Sequence, residues 1–314
     1  MKRKVIQIAD STQLVSLPRK WAVRYGVKKG DELDVIEQGN RIIIGTEGKG
    51  EREDKIELNI TELDKDSVIF LIRGLYVKGY DEITLTFDRP LTTHHRVDKK
   101  VRFTWVIHNE ARRSTGLEII SEKTNTITLK RISQSSIKEF DGVLRRVFML
   151  TIDAAKDLYL GCKEGDFDLV KSLEEKHDNI TRFVFYNLRL LNTMSHMNYR
   201  DTPSLFHITS SLDIVVDILR NAARDIADNK IKPSKAGIEI LGQIYKSMEL
   251  YYNLYYDFSF KKCEQFSEMR DKILNEIKDL RSKLTKEDIY LSTATEHCLE
   301  ILRYLFSARI SLQY

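Results

Sequence analysis

The sequence predicts a multidomain protein whose three parts differ in fold class. They are a small N-terminal β unit that dimerises, a central small α+β domain, and a C-terminal all-α bundle of six helices. Short alternating segments fill the first 46 residues, strand and helix patterns mix over 55–133, and only helical periodicity follows 135. A chain of 314 residues is long enough for two or three such domains.

Residues 3–46 alternate apolar and polar positions in short segments separated by turn-forming residues. The predicted elements are, in order, a strand at 5–8, a strand at 14–17, a helical turn from Pro18 to Gly26, a turn at Gly30 and Asp31, and strands at 32–37 and 41–44 joined by 38–40. So few residues bury too little surface to fold alone, and we expect two copies to interleave into one dimeric core.

Charge suggests the partner of this unit. Up to Gly30 its cations are opposed only by Asp10, and they are Lys2, Arg3, Lys4, Arg19, Lys20, Arg24, Lys28 and Lys29. A one-sided basic face on a symmetric dimer is the electrostatic footprint of duplex DNA, because lysines and arginines displace condensed counterions from phosphates. Charge alone leaves open the alternative of a merely solvated surface.

The motifs of this unit are more specific than its charge. The run S-L-P-R-K-W, the short helix and Y-G-V-K-K-G-D-E-L-D-V resemble the AbrB/MazE/SpoVT family of swapped-hairpin DNA-binding domains. The resemblance implies an AbrB-like dimer on double-stranded DNA, with contacts from Arg3, Lys4, Arg19, Lys20 and Arg24. Which of these side chains reach bases and which hold phosphates stays open.

Bulk composition narrows the class of protein further. The net charge is only +4, so the basic N-terminus is a local feature. Cys162, Cys263 and Cys298 have no ligand-type spacing and indicate reduced intracellular thiols. No apolar run follows the N-terminal charges, and the most apolar stretch, 68–77, is too short to cross a bilayer. We therefore expect a cytoplasmic protein without membrane insertion.

The predicted domains are 1–47, a glycine-rich linker at 48–54, the α+β domain at 55–133 and the bundle at 134–314. The α+β domain should contain, in order, a strand at 55–60, a helix at 64–78, a strand at 82–87, a helix at 97–113 with Val101, Trp105 and Val106 on its apolar side, and a hairpin of 116–121 with 126–131. His94, His95 and His108 have basic neighbours and indicate solvated histidines rather than a metal site. We find no catalytic constellation in this region.

Six helices of similar length are predicted after Ser135, in repeats at 134–230 and 234–314. Breaks fall at Gly165 and Asp166, at 201–203, at 232–234, near Phe258 and at 285–288. Pro203 suits a first helical position, and Thr285 with Asp288 forms a capping box.

Acidic pairs recur within these two repeats. The second and third helices carry Glu174 with Asp178 and Asp213 with Asp217 at i, i+4 spacing, which places both carboxylates of a pair on one helix face. Four carboxylates at one seam repel unless a cation lies among them, and their hard oxygens suit Mg, Mn, Ca, Zn or oxidised iron. Any single such pair is more commonly a solvated face, so this alternative stays open.

This half of the chain resembles the PhoU family of phosphate-uptake regulators, whose two three-helix repeats carry E/D-x-x-x-D pairs that bind metal clusters. The resemblance implies a metal site at Glu174, Asp178, Asp213 and Asp217. In the second repeat Ser267 and Tyr304 replace two acids, so one site at most is expected. The composite build as a whole resembles archaeal phosphate-uptake regulators with an N-terminal AbrB-type domain.

Three functions follow as hypotheses. The first is a homodimeric, DNA-binding transcriptional regulator linked to phosphate uptake, which senses metal, phosphate or a partner protein through its bundle. The second is a signalling adaptor that docks on a phosphate transporter or kinase and uses the N-terminal unit to dimerise. The third, a metal-dependent phosphoesterase, lacks an identifiable general base, although Arg182 and Arg220 lie within a turn of the acids. We therefore expect no enzyme.

Overall fold

The structure is a computed structural model that describes residues 2–8, 12–46, 53–133, 139–193 and 200–314. The chain forms two compact units, Met1–Lys55 and Ile56–Tyr314. Most of the predicted linker, and the predicted boundary near 134, lie outside the described residues.

The first unit consists of two separate antiparallel hairpins and one short helix. Its elements are β1 (Ile6–Ile8), β2 (Thr12–Leu14), α1 (Arg19–Arg24), β3 (Asp34–Gln38) and β4 (Arg41–Gly45). Pro18 stands just before α1, as predicted, because its fixed φ suits a helix start. Gly26 and Gly30 have φ of +65° and +93°, a backbone conformation that only glycine adopts without strain.

The second unit begins with an α+β region built around a four-stranded sheet. Its first elements are β5 (Lys55–Asn59), α2 (Lys65–Lys78), β6 (Glu82–Thr86), β7 (Leu91–His94), β8 (Lys99–Arg102), α3 (Phe103–Arg112), β9 (Leu117–Lys123) and β10 (Thr126–Arg131). The strand order is β5-β6-β10-β9, and β10 runs antiparallel to both of its neighbours. Ile72 of α2 and Phe103 of α3 are buried with Leu85 and Leu129 of the sheet in one apolar core.

One prediction in this region is wrong. The helix predicted over 97–113 begins only at Phe103, because β7 and β8 pair as a hairpin that occupies 91–102. The apolar side of α3 also differs, since Phe103, Val106 and Ile107 are buried while Trp105 is 52% exposed. Trp105 therefore belongs to the surface of the domain and not to its core.

The rest of the second unit is helical. The helices are α4 (Phe140–Glu164), α5 (Phe167–Lys171), α6 (Leu173–Thr193), α7 (Thr202–Asp228), α8 (Lys235–Tyr256), α9 (Phe260–Leu280) and α10 (Lys286–Ser311). The predicted breaks coincide with helix ends, and the short α5 after Gly165 is an addition that the sequence did not predict. The capping box of Thr285 and Asp288 begins α10 as predicted, and Pro203 lies in the first turn of α7.

The long helices pack in two groups of three along the chain. Helices α4, α6 and α7 contact one another, as do α8, α9 and α10, and α7 with α10 and α4 with α8 join the groups. One large apolar core runs through most of this region. Cys162 and Cys298 are buried thiols, and Cys263 is partly exposed. Within the described ranges, no helix is both long and apolar enough to cross a membrane.

Arg189 fixes the α+β region against the helices. Its side chain is 3% exposed, and it donates hydrogen bonds to the carbonyl oxygens of Tyr76, Gly79 and Tyr80 at the end of α2 and to Asp81. Helix ends leave four carbonyls without intrahelical partners, and a buried guanidinium supplies enough donors for several of them. Helix α2 therefore packs directly on α6.

Candidate functional site

The N-terminal unit presents the cations that the sequence assigned to DNA. Arg3, Lys4, Arg19, Lys20 and Arg24 are all exposed. Helix α1 carries no acidic residue in its first turn, and Arg24 in its last turn lies in a long ion pair, 4.0 Å, with Asp54. Asp10, the acid that the sequence set against this charge, lies outside the described residues.

The described part of the same unit lacks a core of its own. None of its described residues within 2–46 is buried. Eight large aliphatic side chains are 44–73% exposed, namely Val5, Ile6, Ile8, Leu14, Val15, Val23, Val35 and Ile42. Burying one such side chain contributes about 1.5–3 kcal/mol, and isolated two-stranded hairpins are marginal in water. Exposed apolar strands of this kind are what pairing with a second chain would cover.

The four acids of the first helical repeat do meet at one seam, where α6 and α7 lie side by side. Each of them, however, has a polar partner from the protein itself. Both oxygens of Glu174 accept hydrogen bonds from Arg224, at 2.7 and 2.5 Å. Asp213 Oδ1 accepts a hydrogen bond from the hydroxyl of Thr181 at 2.7 Å.

His177 links the other two acids. Its Nδ1 lies 3.0 Å from Asp178, and its Nε2 lies 2.9 Å from Asp217 and 2.6 Å from Nη1 of Arg220. A proton on Nε2 favours the contact with Asp217, whereas the bare nitrogen can accept a hydrogen bond from Arg220. Arg220 also forms an ion pair with Asp217 at 2.6 Å.

The pKa values at the seam follow from these contacts. Burial acts to lower the pKa of His177, but its hydrogen bonds to Asp178 and Asp217 outweigh burial and raise it. Burial acts to raise the pKa of Asp178 and Asp217, but the hydrogen bonds from His177 and the charges of nearby arginines lower both. For Asp213 burial dominates, and its pKa is raised.

The α+β region supplies a further cation to this seam. Arg113, at the end of α3, donates a hydrogen bond of 2.5 Å to Asp178. Arg73 of α2 binds the buried Glu110 through two hydrogen bonds, at 2.6 and 3.3 Å, and its charge also reaches Asp213 and Asp217. The acids therefore lie where the sheet domain and the helices meet.

These residues do not fit an open metal site as they are arranged. Hard cations require several carboxylate oxygens directed at one point, whereas here guanidinium and imidazole groups hold the oxygens of Glu174, Asp178 and Asp217. In the described part of the chain, no group of three or more metal-ligating side chains is placed to hold an ion. The cation expected among the acids is thus supplied by His177, Arg220 and Arg224, and the metal assignment itself stays a prediction.

In the second repeat, too, arginines pair with the acidic residues, although fewer acids are present there. Arg270 contacts Asp271 at 2.8 Å and Glu300 at 3.4 Å, and Arg303 also binds Glu300. Both acids are therefore paired with arginines. Ser267 and Tyr304 stand in place of one acid of each pair, which leaves fewer carboxylates here than in the first repeat.

Sequence analysis noted Arg220 near the acids but did not assign the basic residues of the seam as their partners. A signal was present on α7, where Arg220 and Arg224 follow Asp217 at spacings of three and seven residues and so share its face. His177 directly precedes Asp178 and is 4% exposed. No sequence signal placed Arg113 here, because it lies 65 residues from Asp178.

The comparisons with known proteins define the class of the N-terminal unit. Residues 6–52 match the family model MazE_antitoxin, described as antidote-toxin recognition MazE, bacterial antitoxin. The unit is a domain of the MazE/AbrB type. The match includes Arg19, Lys20 and Arg24 but not Arg3 and Lys4, and it covers a small part of the chain. No curated protein matches the chain.

Solved structures with some likeness to the chain include two proteins from Shewanella oneidensis. One is described as a PhoU-like phosphate regulatory protein, with 13% identity and a TM-score of 0.41 over 57% of this chain and 98% of the other. The second is described as PhoU-like, with 12% identity and a TM-score of 0.37 over 58% of this chain and 97% of the other. Values this low assign no function to the chain.

Proposed function

We propose that this protein is a homodimeric, DNA-binding transcriptional regulator linked to phosphate uptake. The observation that carries the proposal is the N-terminal unit, which matches a MazE-type family model, exposes its cations and has no buried residue over the described part of 2–46. Pairing two such units buries the aliphatic side chains and brings two sets of arginines and lysines together on one surface.

The proposed sensing element is the seam of carboxylates and arginines between α6 and α7. Its charges come from the sheet domain as well as from the helices, through Arg113 and Arg73. An anion or a metal that binds here must replace existing ion pairs, and a ligand with different affinities for two arrangements shifts their populations. The link to phosphate follows from the acid pairs of the helices, which resemble those of phosphate-uptake regulators.

A selection from a random DNA library tests the proposal. Full-length protein is mixed with the library, retained fragments are sequenced, and affinity for the enriched sequence is measured at several salt concentrations. We expect specific enrichment. The logarithm of the binding constant should fall linearly with the logarithm of the salt concentration, and each phosphate contact should steepen that slope by about 0.9.

Charge reversal identifies the contact surface. The variant Arg19→Glu/Arg24→Glu should lose retardation of the enriched DNA, because both side chains are exposed on or beside α1. The matched control is Lys261→Glu/Lys272→Glu, which makes the same charge change on exposed residues of α9. No enrichment, or equal loss in both variants, would exclude this DNA-binding function and favour an adaptor that uses the unit only to dimerise.

A further inference from the structure

A cleft of about 500 Å³ lies between the sheet domain and the helices. Its walls come from α2 and α3 on one side and from α6 on the other, with Lys65, Trp105, Arg112, Asn179 and Arg182 among its lining residues. Pockets that hold small molecules are commonly of about 300–1,000 Å³ and form between packed elements. The cleft is therefore large enough for a metabolite of moderate size.

The cleft is basic once its internal ion pairs are accounted for. Its two acidic lining residues are already bound by arginines, Glu110 by Arg73 at 2.6 Å and Asp178 by Arg113 at 2.5 Å. Four cationic residues line it, namely Lys65, Arg112, Arg113 and Arg182, and Lys65 is paired in turn with Asp66 at 3.0 Å, so Arg112 and Arg182 carry the charge that these pairs leave over. The surplus positive charge favours an anionic ligand.

Two of the arginines are suited to bind that anion. Arg112 is exposed, and among the described residues no carboxylate pairs with it. Arg182 donates a 3.0 Å hydrogen bond to the amide oxygen of Asn179 and lies near its neighbour Phe183, so its contacts there are neutral. A guanidinium presents several donors in a fork that matches phosphate oxygens.

The remaining wall is aromatic and apolar. Trp105 is half-exposed on α3, next to Ile69 and Val106 in the lining. An indole at the edge of a cleft can cover one face of a flat ring, and stacking on a base contributes about 1–3 kcal/mol. Asn109 and Asn179 add amide groups that can hydrogen-bond to the edge of such a ring.

We propose that this cleft binds a nucleotide, with the base packed against Trp105 and the phosphate held by Arg112 and Arg182. The combination of a flat aromatic surface, amide groups and unpaired guanidinium groups fits a ligand that carries both a heterocycle and a phosphate. This site is distinct from DNA contact by the N-terminal unit and goes beyond the proposed function.

Tryptophan fluorescence provides a direct test, because the chain contains only Trp21 and Trp105. In the full-length Trp21→Phe protein, all tryptophan emission comes from Trp105. The probes are AMP, ATP and GMP, with adenosine and inorganic phosphate as the two halves of the ligand. We expect saturable quenching by at least one nucleotide, and affinities at least about tenfold weaker for adenosine and for phosphate, which each make half of the contacts.

Two variants in the same background locate the site. Arg182→Gln should weaken nucleotide binding by about tenfold or more, since a charge-assisted contact is lost. The control Arg96→Gln removes an exposed arginine of the sheet domain that does not line the cleft, and it should leave the affinity unchanged. Calorimetric titration of the unchanged chain and of Trp105→Ala gives a readout that does not depend on the Trp21→Phe background.

Several results would overturn the proposal. They are no saturable response to any of the nucleotides, equal binding of phosphate alone, or equal weakening by Arg182→Gln and Arg96→Gln. If Arg19→Glu/Arg24→Glu loses DNA retardation but still binds nucleotide, then DNA binding and nucleotide binding are independent of each other.

Discussion

Arg113 of the sheet domain donates a 2.5 Å hydrogen bond to Asp178 of α6, and both residues line the cleft at this junction. Asp178 also contacts His177, which reaches Asp217 and Arg220 on α7. A ligand phosphate that attracts Arg113 competes with Asp178 for it. The cleft and the seam of acids are therefore joined through one carboxylate.

Dimerisation should depend on the exposed aliphatic residues of the N-terminal unit. Ile42 is 66% exposed on β4, and Ile42→Lys should shift the protein toward monomer because a buried ammonium is costly in an apolar interface. Sedimentation over a range of protein concentrations measures the shift. Phe70→Lys, at a residue 67% exposed on α2, is the matched control and should leave the association unchanged. An unchanged association of Ile42→Lys would contradict the interleaved dimer.

Removing Arg189 should destabilise the second unit strongly. In Arg189→Met the carbonyls of Tyr76, Gly79 and Tyr80, which are buried or partly buried, lose the hydrogen bonds from the guanidinium, and the loss of a buried charged partner costs about 3–5 kcal/mol. Urea unfolding followed by circular dichroism measures the change. Arg182→Met, on the same helix but partly exposed, should cost less than about 1 kcal/mol. Similar losses in the two variants would show that Arg189 has no special part in joining α2 to α6.

The sequence predicted the helical region of the second unit more accurately than its sheet domain. Helix ends were predictable because local chemistry determines them, as in the capping box of Thr285 and Asp288. The β7–β8 hairpin was missed because residues of β7, such as Thr92 and His94, show no clear alternation, and because the helical pattern of α3 was extended back over 97–102, where β8 lies. The acids of the seam were predictable from i, i+4 spacing. Their partner Arg113 was not, because only the packing of α3 near α6 brings it there.

Asp288 should give the protein a measurable acid sensitivity. Its carboxylate is buried and accepts 2.9 Å hydrogen bonds from the backbone N–H groups of Ser234 and Thr285, which join α8 to α10. Burial acts to raise its pKa, but these hydrogen bonds outweigh burial and hold the pKa below its ordinary value of 3.8. Because the pKa of Asp288 is lower in the folded protein, the ionised carboxylate stabilises the fold above pH 3.8. This stabilisation is lost as the pH falls from 3.8 through the folded-state pKa.

The variant Asp288→Asn isolates this effect. It should cost about 1–3 kcal/mol at neutral pH, because one acceptor oxygen and the charge are lost. The difference from the wild type should shrink as the pH is lowered, since protonated Asp288 resembles asparagine. Urea unfolding over a descending pH series measures both. A difference that stays constant down to about pH 3 would mean that folding does not lower the pKa of Asp288.

Metal binding at the seam should be weakened by the arginines that already bind its carboxylates. Arg220 and Arg224 hold the oxygens of Asp217 and Glu174, so Arg220→Ala/Arg224→Ala should bind Mn²⁺ more tightly than the wild type does. Calorimetric titration after treatment with a chelator measures both affinities. Asp213→Asn added to the double variant should weaken binding again. Equal affinities in wild type and double variant would contradict competition, and no binding in either would remove the metal assignment.

The absence of any buried residue within the described part of 2–46 has a consequence for how much protein a cell must make. If the N-terminal unit is completed only when two chains pair, and if the dimer binds an operator as proposed, the amount of DNA-binding dimer rises with the square of the chain concentration while that concentration is low. A modest change in synthesis or degradation then becomes a larger change in promoter occupancy, before any effector is bound.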